Sequence, residues 1–274
     1  MNITEILGSN NKGKNILILS GVHGDELTPV YTTYLLSKLD YNNYNFKKIT
    51  IISAINTEAI KNNTRETPII KTSDLNRVFS NEEDVKYKDV LTKHIKEHDI
   101  IIDIHSSPKC DTFVLLNQDE TTNSYVEFCN QNNINYLIRY SAANTIKKYC
   151  QELNKIAFTV ELNLMSYIDH DSANSGKDLI LKIVSKCESL RIVKTEPIHE
   201  EYHELYTYKT GMFTETKKCG DIIKQNQEIG RVICLKTFEE TSLKLNKKGS
   251  FRIICFNSHS FVDGSNCIAY LQPL

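Results

Sequence analysis

The chain has 274 residues, 40% of them hydrophobic and 24% charged, ordinary globular proportions with room for one large domain and a small companion. Thirty-three basic residues stand against 34 acidic ones, only six of the basic residues are arginine, and the formal charge is −1, which excludes nucleic-acid binding by phosphate neutralisation. No apolar run is long enough to span a bilayer, so no membrane partner is expected.

The start, MNITEILGSNNKGK, lacks the basic and apolar parts of a signal peptide. Eight cysteines lie far apart with no CxxC pair, which predicts reduced thiols in a cytoplasmic protein. The stretch Gly8 to Asn15 approaches a P-loop, but Asn15 replaces the required Ser or Thr and the stretch precedes a strand, so it reads as a polar hairpin turn. Strands are expected at Asn15–Ser20, Lys48–Ile55, Ile100–His105, Thr112–Leu116 and Ile156–Leu162. Helices are expected at Glu26–Leu39, Glu82–His98, Ser124–Gln131 and Lys177–Ile192. His94 and His98, four apart on a charged helix, read as a solvated face.

Runs such as ILIL and IIIDI are apolar on both sides, as strands covered by two helix layers should be. The alternation predicts an α/β fold with a mostly parallel or mixed central sheet and helices on both faces. After Ile192 the pattern changes to short β-rich segments punctuated by five of the ten glycines, from Gly211 to Gly264. Two domains are therefore expected, residues 1–195 and a small all-β domain over 196–274.

Ligands of open α/β sheets bind beyond the carboxyl ends of the strands. After the first buried strand comes Gly21-Val22-His23-Gly24-Asp25-Glu26, after the third comes His105-Ser106, and Glu161 stands near the end of the last. His23, Glu26 and His105 are the donor set of a catalytic zinc site, which takes three protein ligands and keeps a fourth position open. Glu161, a lone carboxylate in TVELN, suits a general base. Asp74-Leu75-Asn76-Arg77, with Arg65 twelve residues before Arg77, supplies forked donors for an anion. Each residue alone has a plainer reading: a turn histidine, a satisfied core histidine, a salt-bridged glutamate, solvated arginines. His199-Glu200-Glu201-Tyr202-His203 matches HExxH, but that motif needs a helix; Pro197 precedes it and β-type sequence follows, so it reads as a solvated linker.

The ordered set GVHGDE, DLNR, DIH and a late strand glutamate resembles the succinylglutamate desuccinylase/aspartoacylase family of the zinc carboxypeptidase superfamily. The resemblance covers most of the chain, including YKTGMFTETKKCGDIIKQNQEIGRVI, which is similar to the β-domain that narrows the entrance in that family. It implies one zinc per chain on His23, Glu26 and His105, with Glu161 as general base and Arg65 polarising the scissile carbonyl. It also implies that Asn76 and Arg77 clamp the substrate carboxylate, and that Asp74 orients the first zinc histidine.

Three departures bear on the substrate. Ser106 stands at the substrate-binding position where aspartoacylases place Asn, and no arginine lies between Arg139 and Arg191. The tyrosine such enzymes lend from the C-terminal domain has no clear match: CFNSHSFVDG offers Phe261 and His259, and Tyr206 and Tyr208 lie at the domain's start. The expected activity is hydrolysis of a small anionic N-acyl amino acid with a second acidic group disfavoured. The alternatives are a carboxypeptidase acting on small peptides and a non-catalytic metal- or ligand-binding protein. The sequence leaves the oligomeric state, including a homo-oligomer, open.

Overall fold

The computed structural model describes every residue except 68–73, 81–84, 120, 141, 197–201, 257–260 and 265. Residues 1–106 and 112–199 form one compact unit; residues 107–111 and 200–274 form another.

The first unit is built on a seven-stranded sheet of order β1-β3-β2-β4-β7-β5-β6. The strands are β1 (Asn2–Leu7), β2 (Asn15–Ser20), β3 (Lys48–Ser53), β4 (Ile100–Ser107), β5 (Phe113–Asn117), β6 (Tyr136–Arg139) and β7 (Ile156–Asn163). β2 pairs in parallel with β3 and β4, and β5 with β6, whereas β1 on β3 and β5 on β7 are antiparallel, so the sheet is mixed. Side chains alternate between two apolar layers. Ile16, Ile18, Ile102, Ile104, Phe158 and Val160 face one core, while Leu17, Leu19, Ile101 and Ala157 face the other.

Helices α1 (Leu27–Ser37), α4 (Thr122–Gln131) and α6 (His170–Lys186) contribute to the first core; α3 (Lys88–Glu97) and α5 (Ile146–Glu152) contribute to the second. A short α2 (Thr57–Asn62) lies between β3 and the 3-10 turn Leu75–Arg77 in the chain. α6 begins seven residues before the expected start, because the Asp169 side chain accepts the Asp171 and Ser172 N–H groups and caps a polar first turn. Residues 82–84 of the expected helix 82–98 lie outside the described residues, and α3 itself starts at Lys88.

The stretch Gly8 to Asn15 is not a hairpin turn, since β1 pairs with β3 and not with β2. The solvated-face reading also fails for His98. Its ring is fully buried, donates from Nδ1 to the His94 carbonyl (2.6 Å) and accepts at Nε2 from Thr50 (2.8 Å).

β5 and β7 share only three paired positions, Phe113 with Glu161, Val114 with Val160 and Leu115 with Thr159. Beyond them, side chains from two helices bond the strand backbones. Tyr125 Oη accepts the Ala157 N–H (3.0 Å), Lys147 Nζ donates to the Leu115 carbonyl (2.6 Å), and the ammonium lies 5.7 Å from the Tyr125 ring centroid.

The second unit has two four-stranded sheets. One orders β10 (Ile222–Lys224), β13 (Ser250–Phe256), β15 (Cys267–Pro273) and β8 (His203–Tyr206); the other orders β12 (Glu240–Lys244), β11 (Glu228–Ile233), β9 (Gly211–Glu215) and β14 (Phe261–Val262). The pairings among the described residues are antiparallel, and Phe213, Ile229, Phe251, Ile253 and Leu271 share one core. Residues 107–111 join this unit through backbone bonds from Phe256 to Lys109 and from Asp111 to Ile254. His203 opens a strand; residues 199–201 of the HExxH match lie outside the described residues. None of the eight cysteines is in a disulfide, and among the described residues no helix is long and apolar enough to cross a membrane.

Candidate metal centre

The loop after β2 brings His23 to the sheet edge through two glycines. Gly21 has φ +73°, the left-handed region that a side chain resists, and a Cβ on Gly24 would stand 2.0 Å from the Ala59 carbonyl carbon in α2. Glu26 follows as the N-cap of α1, and His105 lies near the end of β4.

All three side chains are buried, and their ligand atoms lie within 4.8 Å of one another. His23 Nδ1 is 2.7 Å from Glu26 Oε1, His105 Nδ1 is 3.0 Å from Glu26 Oε2, and the two Nδ1 atoms are 3.2 Å apart. The opposite ring nitrogens each meet a carboxylate: His23 Nε2 lies 2.9 Å from Asp74 Oδ1, and His105 Nε2 lies 2.8 Å from Asp103 Oδ2. A carboxylate accepts, so both rings are assigned as Nε2–H donors. Two Nδ1 lone pairs and a carboxylate then face one another in a buried space, an arrangement that is repulsive until a cation stands between them.

Two nitrogens on one tetrahedral zinc, each about 2.0–2.1 Å from it, stand about 3.3 Å apart, close to the separation found here. The donor set therefore fits a divalent cation. Local pKa values carry the same demand for positive charge. Burial would raise Glu26, but His105 and His23 bring it down to about 2. Burial pulls the imidazoles down, yet Asp103 and Glu26 raise His105 well above its ordinary value, and Glu26 and Asp74 raise His23.

Asp74 also accepts from Arg65, whose Nε and Nη2 reach Oδ2 at 3.0 and 2.7 Å while Nη1 lies 3.7 Å from Glu26 Oε1. Burial works against its charge, but His23 and Arg65 hold the Asp74 carboxyl far below the usual range. Arg65 is thereby drawn to the edge of the cluster, with its side chain 40% exposed.

Asn76 is buried, accepts the Ile146 N–H at Oδ1 (2.8 Å), and sets Nδ2 3.3 Å from His105 Nε2. Arg77 is exposed and donates to the Asn76 carbonyl (2.7 Å); no described bond ties it to the cluster. Ser106 donates its N–H to Glu26 Oε2 (3.2 Å), and its buried hydroxyl has no partner among the described residues.

Glu161 is half-buried in β7, the strand beside β4. The Ile156 N–H donates to the Asp99 carbonyl (3.2 Å), so the two strands start together in parallel, with Ile156 opposite Ile100. Five residues on, at 156 + 5 and 100 + 5, stand Glu161 and His105. Both fall on the face of Ala157 and Ile101.

Asp103 is the residue that reading by motif missed. It is buried, and Asp103-Ile104-His105 had the needed signal, because residues two apart on a strand share a face. Of the other expected residues, Phe261 opens β14 and is half-exposed, Tyr206 closes β8, and His259 lies outside the described residues.

The model of the succinylglutamate desuccinylase/aspartoacylase catalytic domain matches residues 12–186. The chain belongs to that family. Solved structures share its fold at low identity. A succinylglutamate desuccinylase/aspartoacylase from Rhodobacter sphaeroides is 15% identical with a TM-score of 0.74, over 99% of this chain and 89% of that one. An aspartoacylase family protein from Mesorhizobium loti is 18% identical with a TM-score of 0.75, over 99% and 88%. The product-bound ectoine utilization protein EutE (DoeB) from Ruegeria pomeroyi is 18% identical with a TM-score of 0.74, again over 99% and 88%. No curated protein matches the sequence.

Proposed function

We propose that the chain is a zinc-dependent amidohydrolase that releases a carboxylate and a free amino acid from a small N-acyl amino acid. The observation that carries this reading is the meeting of His23, Glu26 and His105 around facing lone pairs, each histidine backed by a carboxylate. A cation held there would supply Lewis acidity, lowering the pKa of water and polarising an amide carbonyl.

Glu161, level with His105 on the neighbouring strand, takes the proton of the attacking water and delivers it to the departing nitrogen as the C–N bond breaks. Arg65, half-exposed beside Asp74 and Glu26, donates to the oxygen that gathers negative charge. Asn76 keeps one amide edge against His105, and Arg77 is free to turn its fork toward a substrate carboxylate. Burial of His23, Glu26 and His105 keeps bulk water off the ligand atoms.

The decisive experiment is Glu161→Gln assayed with metal content. The variant keeps about one zinc per chain and loses about 10²–10⁴-fold in kcat. Full activity in that variant would end the mechanism. A substrate screen separates the neighbouring readings: a preference for dipeptides over N-acyl amino acids would make the enzyme a carboxypeptidase, and tight binding without hydrolysis would make it a binding protein.

A further inference from the structure

The loop that follows Glu161 has no role in the mechanism above, yet it is stitched to the loop carrying the metal ligands. The Ser166 N–H donates to the Asp25 carbonyl (2.6 Å). Thr28 Oγ1, in the first turn of α1, donates to the Tyr167 carbonyl (3.2 Å) and accepts the Asp169 N–H (3.1 Å). Leu164 and Ser166 both have positive φ, 71° and 65°. Non-glycine residues hold that conformation only where the surroundings over-determine it, and such places cluster at functional sites.

At the tip, Tyr167 is 71% exposed and Ile168 43% exposed. An aromatic and a branched aliphatic side chain thus stand in solvent one and two residues beyond Ser166, which is anchored on Asp25, the neighbour of Glu26.

Charge defines what such a wall accepts. Between residues 156 and 176 the charged groups are Glu161, Asp169 and Asp171, with no lysine or arginine. The facing stretch, residues 24–37, adds Asp25 and Glu26 and again no basic residue. A carboxylate at the end of an acyl chain would find only like charge from these two stretches. Asp74, by contrast, meets His23 and accepts from Arg65, in the segment that also carries Asn76 and Arg77, so the arginines come from that segment and none from the two stretches around the 164–168 loop.

We propose that the 164–168 loop is the acyl-side wall of the site and that Tyr167 selects an uncharged, apolar acyl group. This rests on the deacylase reading and adds the substrate class to it. The amino-acid carboxylate is the anionic part of the substrate; the acyl tail packs on Tyr167 and Ile168.

The test measures kcat/KM of the zinc-loaded enzyme for N-acetyl, N-hexanoyl and N-succinyl derivatives of a panel of amino acids, in wild type, Tyr167→Ala and Tyr167→Phe. Wild type favours hexanoyl over succinyl by about tenfold or more, the scale of discrimination an apolar pocket provides. Tyr167→Ala lowers kcat/KM for hexanoyl about tenfold, mainly through KM, and for acetyl less than about twofold. Tyr167→Phe keeps the wild-type order, since the ring and not the hydroxyl makes the contact. A succinyl preference in wild type, or an equal loss on all three acyl groups in Tyr167→Ala, overturns the assignment while leaving the deacylase reading in place. Failure to hydrolyse any of the three would remove the deacylase reading and this one with it.

Discussion

In the α/β unit, His23, Glu26, His105 and Asp103 are buried and linked in a chain of close contacts, and Lys147 is buried as well. In the β unit, the ion pairs of Arg231 with Glu228 and Glu240, and of Lys109 with Glu215, lie at the surface. The same residue types carry very different weights in the two places. Water screens the surface pairs, so they contribute little to stability. Buried charges lose their hydration and persist only where a partner, a ligand or an unpaired backbone group repays it. The buried set therefore marks where the fold gives up stability to hold charged groups out of water.

The widest separation between the two regions is expected at the backing carboxylates. Asp103→Ala leaves the His105 Nε2–H unpaired and frees the ring to turn, weakening zinc about 10–100-fold in a chelator competition. Unchanged affinity would mean that Asp103 is ordinary buried ballast.

Lys147 gives a smaller and pH-dependent effect. Burial pushes its ammonium down to about 8, with Asp119 opposing. In the unfolded chain a lysine titrates near 10.4, so between those values the unfolded state holds the extra proton. The folding penalty is present in full below pH 8 and fades as pH rises through that window. In denaturant unfolding, wild type gains about 2–3 kcal/mol on Lys147→Met between pH 7 and 10.5. A pH-independent difference would show that the ammonium is better solvated than its burial implies.

Arg231→Ala is the smallest effect, with Tm moving within about 2 °C. A larger drop would show that the β unit also depends on its charge pairs.

What could be read without coordinates follows physical signal strength. β2 starts and ends where its apolar run predicted, because a strand buried on both faces writes a continuous pattern. β1 did not stand out, since its residues are exposed or only half-buried along one edge of the sheet. β6, α2 and α5 were too short to show a period, with four, six and seven residues. The family was legible in four motifs in fixed order, and His23, Glu26 and His105 do converge. Arg65 was legible as a site residue, but its bond to Asp74, nine residues on, is a contact no periodicity announces. Asp103 was hidden by its resemblance to any polar residue in a buried strand. Pairing it with the histidine two places on was the step that local reading omitted.

The contacts that flank the short β5–β7 pairing bear on how firmly the position of Glu161 is held. β7 is hydrogen-bonded to β4 on one side, and on the other it meets β5 at only three paired positions. A slip of two residues would preserve every inward and outward side chain yet carry Glu161 about 7 Å along the strand. Tyr125 on the Ala157 N–H and Lys147 on the Leu115 carbonyl act as a pawl against that slip. The level of Glu161 along β7 is thus braced from the opposite end of the strand, by a phenol and an ammonium on two separate helices.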